Sequence, residues 1–164
     1  NILFDNKVAI VTGAGAGLGR CHALGLAARG AKVVVNDLGQ DGQPPENALA
    51  VVEEIIGAGG EAMAHGANVA NVDQVQEMVE QVMQRWGRID VLVNNAGISR
   101  DKSFSKMTLE DFRLVLDVHL RAVNSTKAVW DIMKAQKYGR IVMTSSSSGL
   151  YGNFGQSNYG AELI

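Results

Sequence analysis

The sequence predicts an α/β fold, a doubly wound parallel sheet with helices on both faces. Three observations carry the prediction. Short β-branched runs alternate along the chain with stretches whose apolar residues recur at helical spacing. Nineteen glycines stand against two prolines in 164 residues, and several of them punctuate that alternation. The first β-branched run leads directly into Thr12-Gly13-Ala14-Gly15-Ala16-Gly17-Leu18-Gly19 and then into a helical pattern. Strand followed by helix, repeated with right-handed crossovers, gives a parallel sheet covered on both sides. Any ligand of such a sheet sits at the carboxyl ends of the strands.

Each element follows in order. Val8 to Val11 reads as the buried first strand, and Cys21, Leu24 and Ala28 fall on one face of the first helix, which Gly30 closes. Val33 to Asn36 is the second strand, followed by a polar loop from Leu38 to Pro45. The second helix buries Leu49, Val52 and Ile56 before Gly57 to Gly60 stops it. Glu61 to Ala67 is the third strand, and Val75, Val79, Val82 and Trp86 mark the third helix. Ile89 to Val93 is the fourth strand. Thr108 is the expected N-cap of a long helix, with Asp111 in the box position and Phe112, Val115, Leu116, His119, Leu120 and Val123 on its apolar face. Val118, Ala122, Val129 and Trp130 lie off that stripe, and a second apolar face predicts a homo-oligomer. Gly139 precedes a fifth strand from Ile141 to Met143.

Composition excludes several classes of function. A net charge of -2 without clustered Lys and Arg argues against a nucleic-acid surface. No apolar run approaches a membrane span, and the residues NILFDNK lack the regions of a signal peptide, so no membrane partner is expected. One cysteine, Cys21, and three scattered histidines, His22, His65 and His119, offer neither a disulfide nor a metal set, which fits a reducing, cytoplasmic setting.

The candidate site residues follow the strands. In the first turn, Gly13, Gly17, Leu18 and Gly19 allow the backbone to approach a pyrophosphate at the positive end of a helix. Asp37 ends the second strand, 18 residues beyond Gly19, where its carboxylate can accept from adenosine ribose hydroxyls and repel a 2′-phosphate. Its neighbours Ala16 and Leu38 carry no charge, so NAD is expected over NADP. Asn68 and Val69 after the third strand read equally as an adenine contact or a polar turn. Asn94, Ala96 and Gly97 after the fourth read equally as cofactor contacts or as backbone scaffolding. Thr144-Ser145-Ser146-Ser147-Ser148-Gly149 follows the fifth strand, and a loop runs from Leu150 to Tyr159.

Together the turn TGxxxGxG at Thr12 to Gly19, Asp37, the NNAG at Asn94 to Gly97, and Ser146 placed 13 residues before Tyr159 resemble the short-chain dehydrogenase/reductase family over almost the whole chain. The segments 36–39, 100–104, 118–121 and 151–156 resemble the D-3-hydroxyacyl-CoA dehydrogenase domains of the peroxisomal multifunctional enzymes of type 2 and their bacterial relatives. The resemblance implies a Rossmann-like fold, Tyr159 as general acid/base and Ser146 as hydrogen-bond donor to the substrate oxygen. It further implies NAD as cofactor, a 3-hydroxyacyl-CoA as substrate, an acyl-carrier-protein-linked 3-ketone as the alternative, and subunits joined through the long helices. A peroxisomal setting is the alternative compartment it implies for a eukaryotic protein.

Two positions depart from the family. His119 stands where most members have asparagine, and it is expected to be a packed histidine. Leu163 stands where the family's lysine belongs, and the chain stops at Ile164. A tyrosine ionises near pH 10 unless positive charge lies close, so loss of that cation is expected to impair catalysis. The family's sixth strand and substrate cover are missing as well. The expectation is therefore a domain incomplete at its C-terminus, or a shortened, non-catalytic nucleotide-binding or oligomerisation module.

Overall fold

The strand β1 (Val8–Thr12) is buried along its whole length, and its side chains divide by parity between two cores. Ala9 and Val11 join Val33, Val35, Val91 and Val93 beneath the helices α1 (Gly17–Ala27) and α2 (Glu46–Gly57). Val8 and Ile10 join Val34 and Leu92 beneath α3 (Val72–Trp86) and α5 (Ala122–Ala135). A strand covered on both faces needs no polar alternation, which is why the sequence shows near-continuous Val, Ile and Ala. The computed structural model describes residues 2–120 and 122–162. Leu163, Ile164 and the His119 side chain lie outside the described residues.

With β2 (Lys32–Asn36), β3 (Glu61–His65), β4 (Val91–Asn94) and β5 (Arg140–Met143), the sheet has the order β3-β2-β1-β4-β5, and every pair is parallel. Val11 stands opposite both Val35 and Val93. The chain winds outward from β1 to β3 and then crosses back to β4, so the winding direction reverses between β1 and β4. That reversal opens a crevice at the carboxyl ends of these two strands. The other edge of the sheet is closed by Asp90, whose buried carboxylate accepts from Val8 N–H at 2.9 Å and from Arg88 at 2.8 and 2.7 Å. Burial pushes the Asp90 carboxyl up, but Arg88, the Val8 amide and Lys7 together hold it below the usual carboxylate range.

Several sequence expectations shift by a residue or an element. The buried face of α1 is Gly19 and Ala23, whereas Cys21 and the capping Ala28 are exposed, because close packing on the sheet admits only small side chains there. In α2 the buried residues are Ala48, Val51 and Ile55, and Leu49 and Ile56 face outward. Both sets have helical spacing, so periodicity alone does not choose the phase. β3 stops at His65, since Gly66 turns away to donate to Gly42. β4 starts at Val91, because Ile89 gives its N–H and C=O to the Gln136 side chain. Thr108 does cap α4 (Leu109–Leu120), accepting from Asp111 N–H at 3.0 Å. Val115 is buried, yet Val123 is exposed in α5. Val129, expected on a free face, is buried against the chain's own sheet, while Trp130 is exposed. The loop expected before Tyr159 contains two short helices, α6 (Ser147–Tyr151) and α7 (Ser157–Glu162).

Candidate active site at the carboxyl ends of the strands

The turn after β1 is held from three sides. Thr12 Oγ1 donates to the Val93 carbonyl at 3.3 Å and accepts from the N–H groups of Asn95 and Ala96 at 3.1 and 3.0 Å. Asn95 Nδ2 donates back to the carbonyls of Thr12 and Gly13 at 3.0 and 3.1 Å. These bonds stitch the end of β4 to the glycine turn across the crevice. A Cβ on Gly13 would lie 2.8 Å from the Ala96 Cα, and one on Gly19 would clash with the Gly13 carbonyl oxygen. The helix α1 can therefore start this close to the turn only with glycine at both positions.

Gly17 differs from both. It adopts φ 53° and faces open space, so its role is conformational, and it exposes the start of α1. No side chain caps that helix, no acidic residue occupies its first turn, and the N–H groups of residues 17–19 take no partner among the described residues. Donors and dipole thus converge on an open anion site. Beside it, Asp37 Oδ2 accepts from Gly15 N–H at 2.7 Å and Oδ1 from Leu38 N–H at 2.8 Å. Oδ2 also accepts from Asn47 Nδ2 at 3.4 Å, so Oδ1 is the oxygen with acceptor capacity left for a hydroxyl donor. Leu38 and Ala16 are exposed neighbours without charge.

Further along the edge, Asn68 Oδ1 accepts from Ala70 N–H at 2.9 Å, and the Val69 carbonyl accepts from Asn124 Nδ2 at 3.0 Å. Asn68 thus forms a polar turn, and its Nδ2 takes no partner among the described residues. Asn94 Nδ2 donates to Thr126 Oγ1 at 3.1 Å, whereas its buried Oδ1 has no partner among the described residues. An orphaned carbonyl oxygen at a strand end is costly and marks a place where a ligand or water belongs.

Ser146 caps α6, accepting from Ser148 N–H at 3.3 Å, so its own proton remains available to donate. Tyr159 is half-buried in α7, which packs on α4 and α6. Gln156 ties these helices together. Its Oε1 accepts from Ser148 Oγ at 2.7 Å and Asn153 Nδ2 at 2.9 Å, and its Nε2 donates to Asp101 at 2.9 Å. The Ser99 hydroxyl and the Gln156 amide hold the Asp101 carboxyl below its usual range. Asn158, fully buried, donates to the Arg100 carbonyl at 3.3 Å.

Residues 7–162 match the family described as short chain dehydrogenase. The chain belongs to that family. As a short chain dehydrogenase it is 53% identical over 98% of its length to the peroxisomal multifunctional enzyme type 2 of Mus musculus, spanning 22% of that protein. It is 51% identical over 94% of its length to a 3-oxoacyl-[acyl-carrier-protein] reductase of Synechocystis, spanning 62% of it. The crystal structure of a short chain dehydrogenase from Mycobacterium avium superposes with a TM-score of 0.90 at 43% identity, the chain covering 59% of that structure. In this chain the glycine turn, Asp37 and the Asn-Asn-Ala-Gly run follow the carboxyl ends of β1, β2 and β4, and Ser146 and Tyr159 come after β5. Asn95 lies inside the Asn-Asn-Ala-Gly run, whose amides the sequence offers as partners for strand-end backbone groups, and its amide takes that role here. Within that dehydrogenase framework the bond between Gln156 and Asp101 is not legible from sequence. Gln156 and Asp101 are 55 residues apart and meet only in three dimensions.

Proposed function

We propose that this chain is the nucleotide-binding and catalytic part of an NAD-dependent oxidoreductase that interconverts a secondary alcohol and a ketone, with a 3-hydroxyacyl-CoA as substrate. The observation that carries the reading is the open start of α1, with three free amides beside the Asp37 carboxylate. When bound, the dinucleotide supplies or accepts a hydride. Gly13, Gly17, Leu18 and Gly19 form its pyrophosphate site, Asp37 its ribose site, Asn68 and Val69 its adenine edge, and Asn94, Ala96 and Gly97 the wall toward the nicotinamide. The Ser146 hydroxyl donates to the substrate oxygen, and the Tyr159 phenol exchanges a proton with the same atom. Leu150, Tyr151 and Phe154, which lie between the two in sequence, are exposed and suit an acyl chain. Cytoplasmic placement is the first reading, and the relative's name favours a peroxisome if the source is eukaryotic.

A second reading, reduction of 3-ketones on acyl carrier protein, draws support from the Synechocystis relative. Leu163, in the place of a lysine, supports a third, in which this chain binds dinucleotide without turnover. The experiment is formation of NADH from a D-3-hydroxyacyl-CoA, comparing the 164-residue chain with one extended to the length of its Mycobacterium avium relative. The extended protein is expected to turn over and to lose on the order of 10²- to 10⁴-fold with Tyr159→Phe. The shorter chain is expected to bind NAD with little turnover. Equal rates in both, unaffected by Tyr159→Phe, would overturn the assignment of the acid/base.

A further inference from the structure

His65 is a buried ionisable side chain for which the reading above has no use. It ends β3 beside Asn36, and the chain then turns through residues 66–69, the turn assigned to the adenine. His65 Nδ1 accepts from the Ala67 N–H at 3.1 Å. An amide can only donate, so Nδ1 carries a lone pair and the ring is neutral, with its proton on Nε2.

Other groups brace the same turn. Asn36 Nδ2 donates to the carbonyls of His65 and Ala67 at 3.2 and 3.0 Å, and Gln74 Oε1 accepts from Asn68 N–H at 2.8 Å. Among these supports only the imidazole reverses its hydrogen-bonding sense near neutral pH. By parity His65 shares the sheet face of Met63, which packs toward α3, and not the α2 face of Ala62 and Ala64. The charged group acting on it from α3 is Glu77, which favours the protonated ring, while burial opposes protonation and prevails. β2 presents the neutral Asn36 beside it, and the loop packed at Gly66 presents Gly42 and Gln43.

We propose that His65 is a positioning residue for the adenine end of the dinucleotide, its neutral imidazole acting as a pH-dependent clasp on the turn 66–69. The inference rests on the reading of Asn68 and Val69 as dinucleotide contacts. A protonated ring would set Nδ1–H against the Ala67 N–H, two donors facing one another, and the turn would have to release that bond. Binding is then linked to the neutral ring. Affinity is full above the imidazole pKa and falls by up to about tenfold per pH unit below it.

The test is calorimetric titration of the 164-residue chain with NAD from about pH 8 to about pH 5.5, a range above the usual carboxylate pKa values. The parent, His65→Gln and His65→Ala are compared, with circular dichroism at each pH and an NMR titration of the imidazole with and without NAD. The parent Kd is expected to rise with acid, by less than about tenfold at about pH 5.5, because burial holds the imidazole below its usual pKa. His65→Gln, which keeps an acceptor without a titratable proton, is expected to stay flat. His65→Ala is expected to be flat and weaker throughout, and NAD is expected to lower the imidazole pKa further. Comparison with His65→Gln separates this effect from that of the exposed His22 on α1. A flat parent, a slope retained in His65→Gln, or an imidazole pKa that NAD does not move would each overturn the proposal. Should a variant fail to fold, the parent slope and the imidazole shift decide. Absence of NAD binding at the alkaline end would overturn the nucleotide reading together with this one, whereas binding without a slope overturns this one alone.

Discussion

β1 and β5 are parallel strands of one sheet, but β1 is buried at every residue whereas β5 leaves Val142 and Met143 half exposed. The turns that follow them differ in the same sense. After β1, the geometry is fixed by glycines that admit no Cβ and by backbone groups bonded to Thr12, Asn95 and Asp37. After β5, it is fixed by side-chain amides, with Gln156 and Asn158 reaching to the segment around Asp101. One region is set by close packing, which tolerates almost no change in volume. The other is set by part-exposed polar bonds, each worth about 1 kcal/mol. Substitutions should therefore act globally in the first region and locally in the second.

The largest expected effect is that of Gly19→Val, whose Cβ would clash with the Gly13 carbonyl oxygen. NAD affinity by calorimetry should fall roughly 100-fold, in keeping with about 3 kcal/mol of overpacking. Gly17→Ala sharpens the point, because its Cβ meets nothing and only the left-handed φ of 53° resists it. That variant should lose about 1 kcal/mol of stability in urea unfolding. If the two were equally damaging, close packing would not be what sets the turn.

Asp90→Ala comes next, with an expected loss of about 3 kcal/mol in urea unfolding, since Arg88 and the Val8 amide lose their buried partner. Acid titration checks the same group. A carboxyl held below its usual range stabilises the fold fully above the unfolded-state pKa, about 3.9, and that contribution is lost as pH falls through the lower folded value. The parent should lose stability with acid across that window more steeply than Asp90→Ala. Asn95→Ala should cost about 1–2 kcal/mol, because two carbonyls of the glycine turn lose their donor.

The smallest global effect belongs to the second region. Gln156→Ala should leave the urea midpoint within about 0.5 kcal/mol of the parent. Hydrogen exchange should accelerate at the amides of residues 153–160, where its bonds to Ser148, Asn153 and Asp101 are lost. A stability loss as large as that of Asp90→Ala would break the contrast between the two regions.

The same contrast explains what the sequence made legible. The fold class and the glycine turn follow from residue type and spacing, whereas the strand order β3-β2-β1-β4-β5 is seen only in three dimensions. The phase of α2 does not, since Leu49-Val52-Ile56 and Ala48-Val51-Ile55 have the same period and only the sheet beneath selects the second. The path from Leu150 to Tyr159 reads as a loop, yet Ser146 caps one short helix and a second begins at Ser157. Residues that hold the site through long-range side-chain bonds, Asn95 to Thr12 and Gln156 to Asp101, carry no periodic signal at all.

The central claim is that Asp37, fixed by Gly15 and Leu38, reads the ribose of a dinucleotide whose pyrophosphate rests on the start of α1. The direct measurement is calorimetry of the 164-residue chain with NAD and NADP at one ionic strength, repeated with Asp37→Ala. NAD should bind at least about tenfold tighter than NADP, since the carboxylate accepts from ribose hydroxyls and repels a 2′-phosphate, and Asp37→Ala should narrow that gap. Equal or tighter binding of NADP by the parent chain would contradict the account.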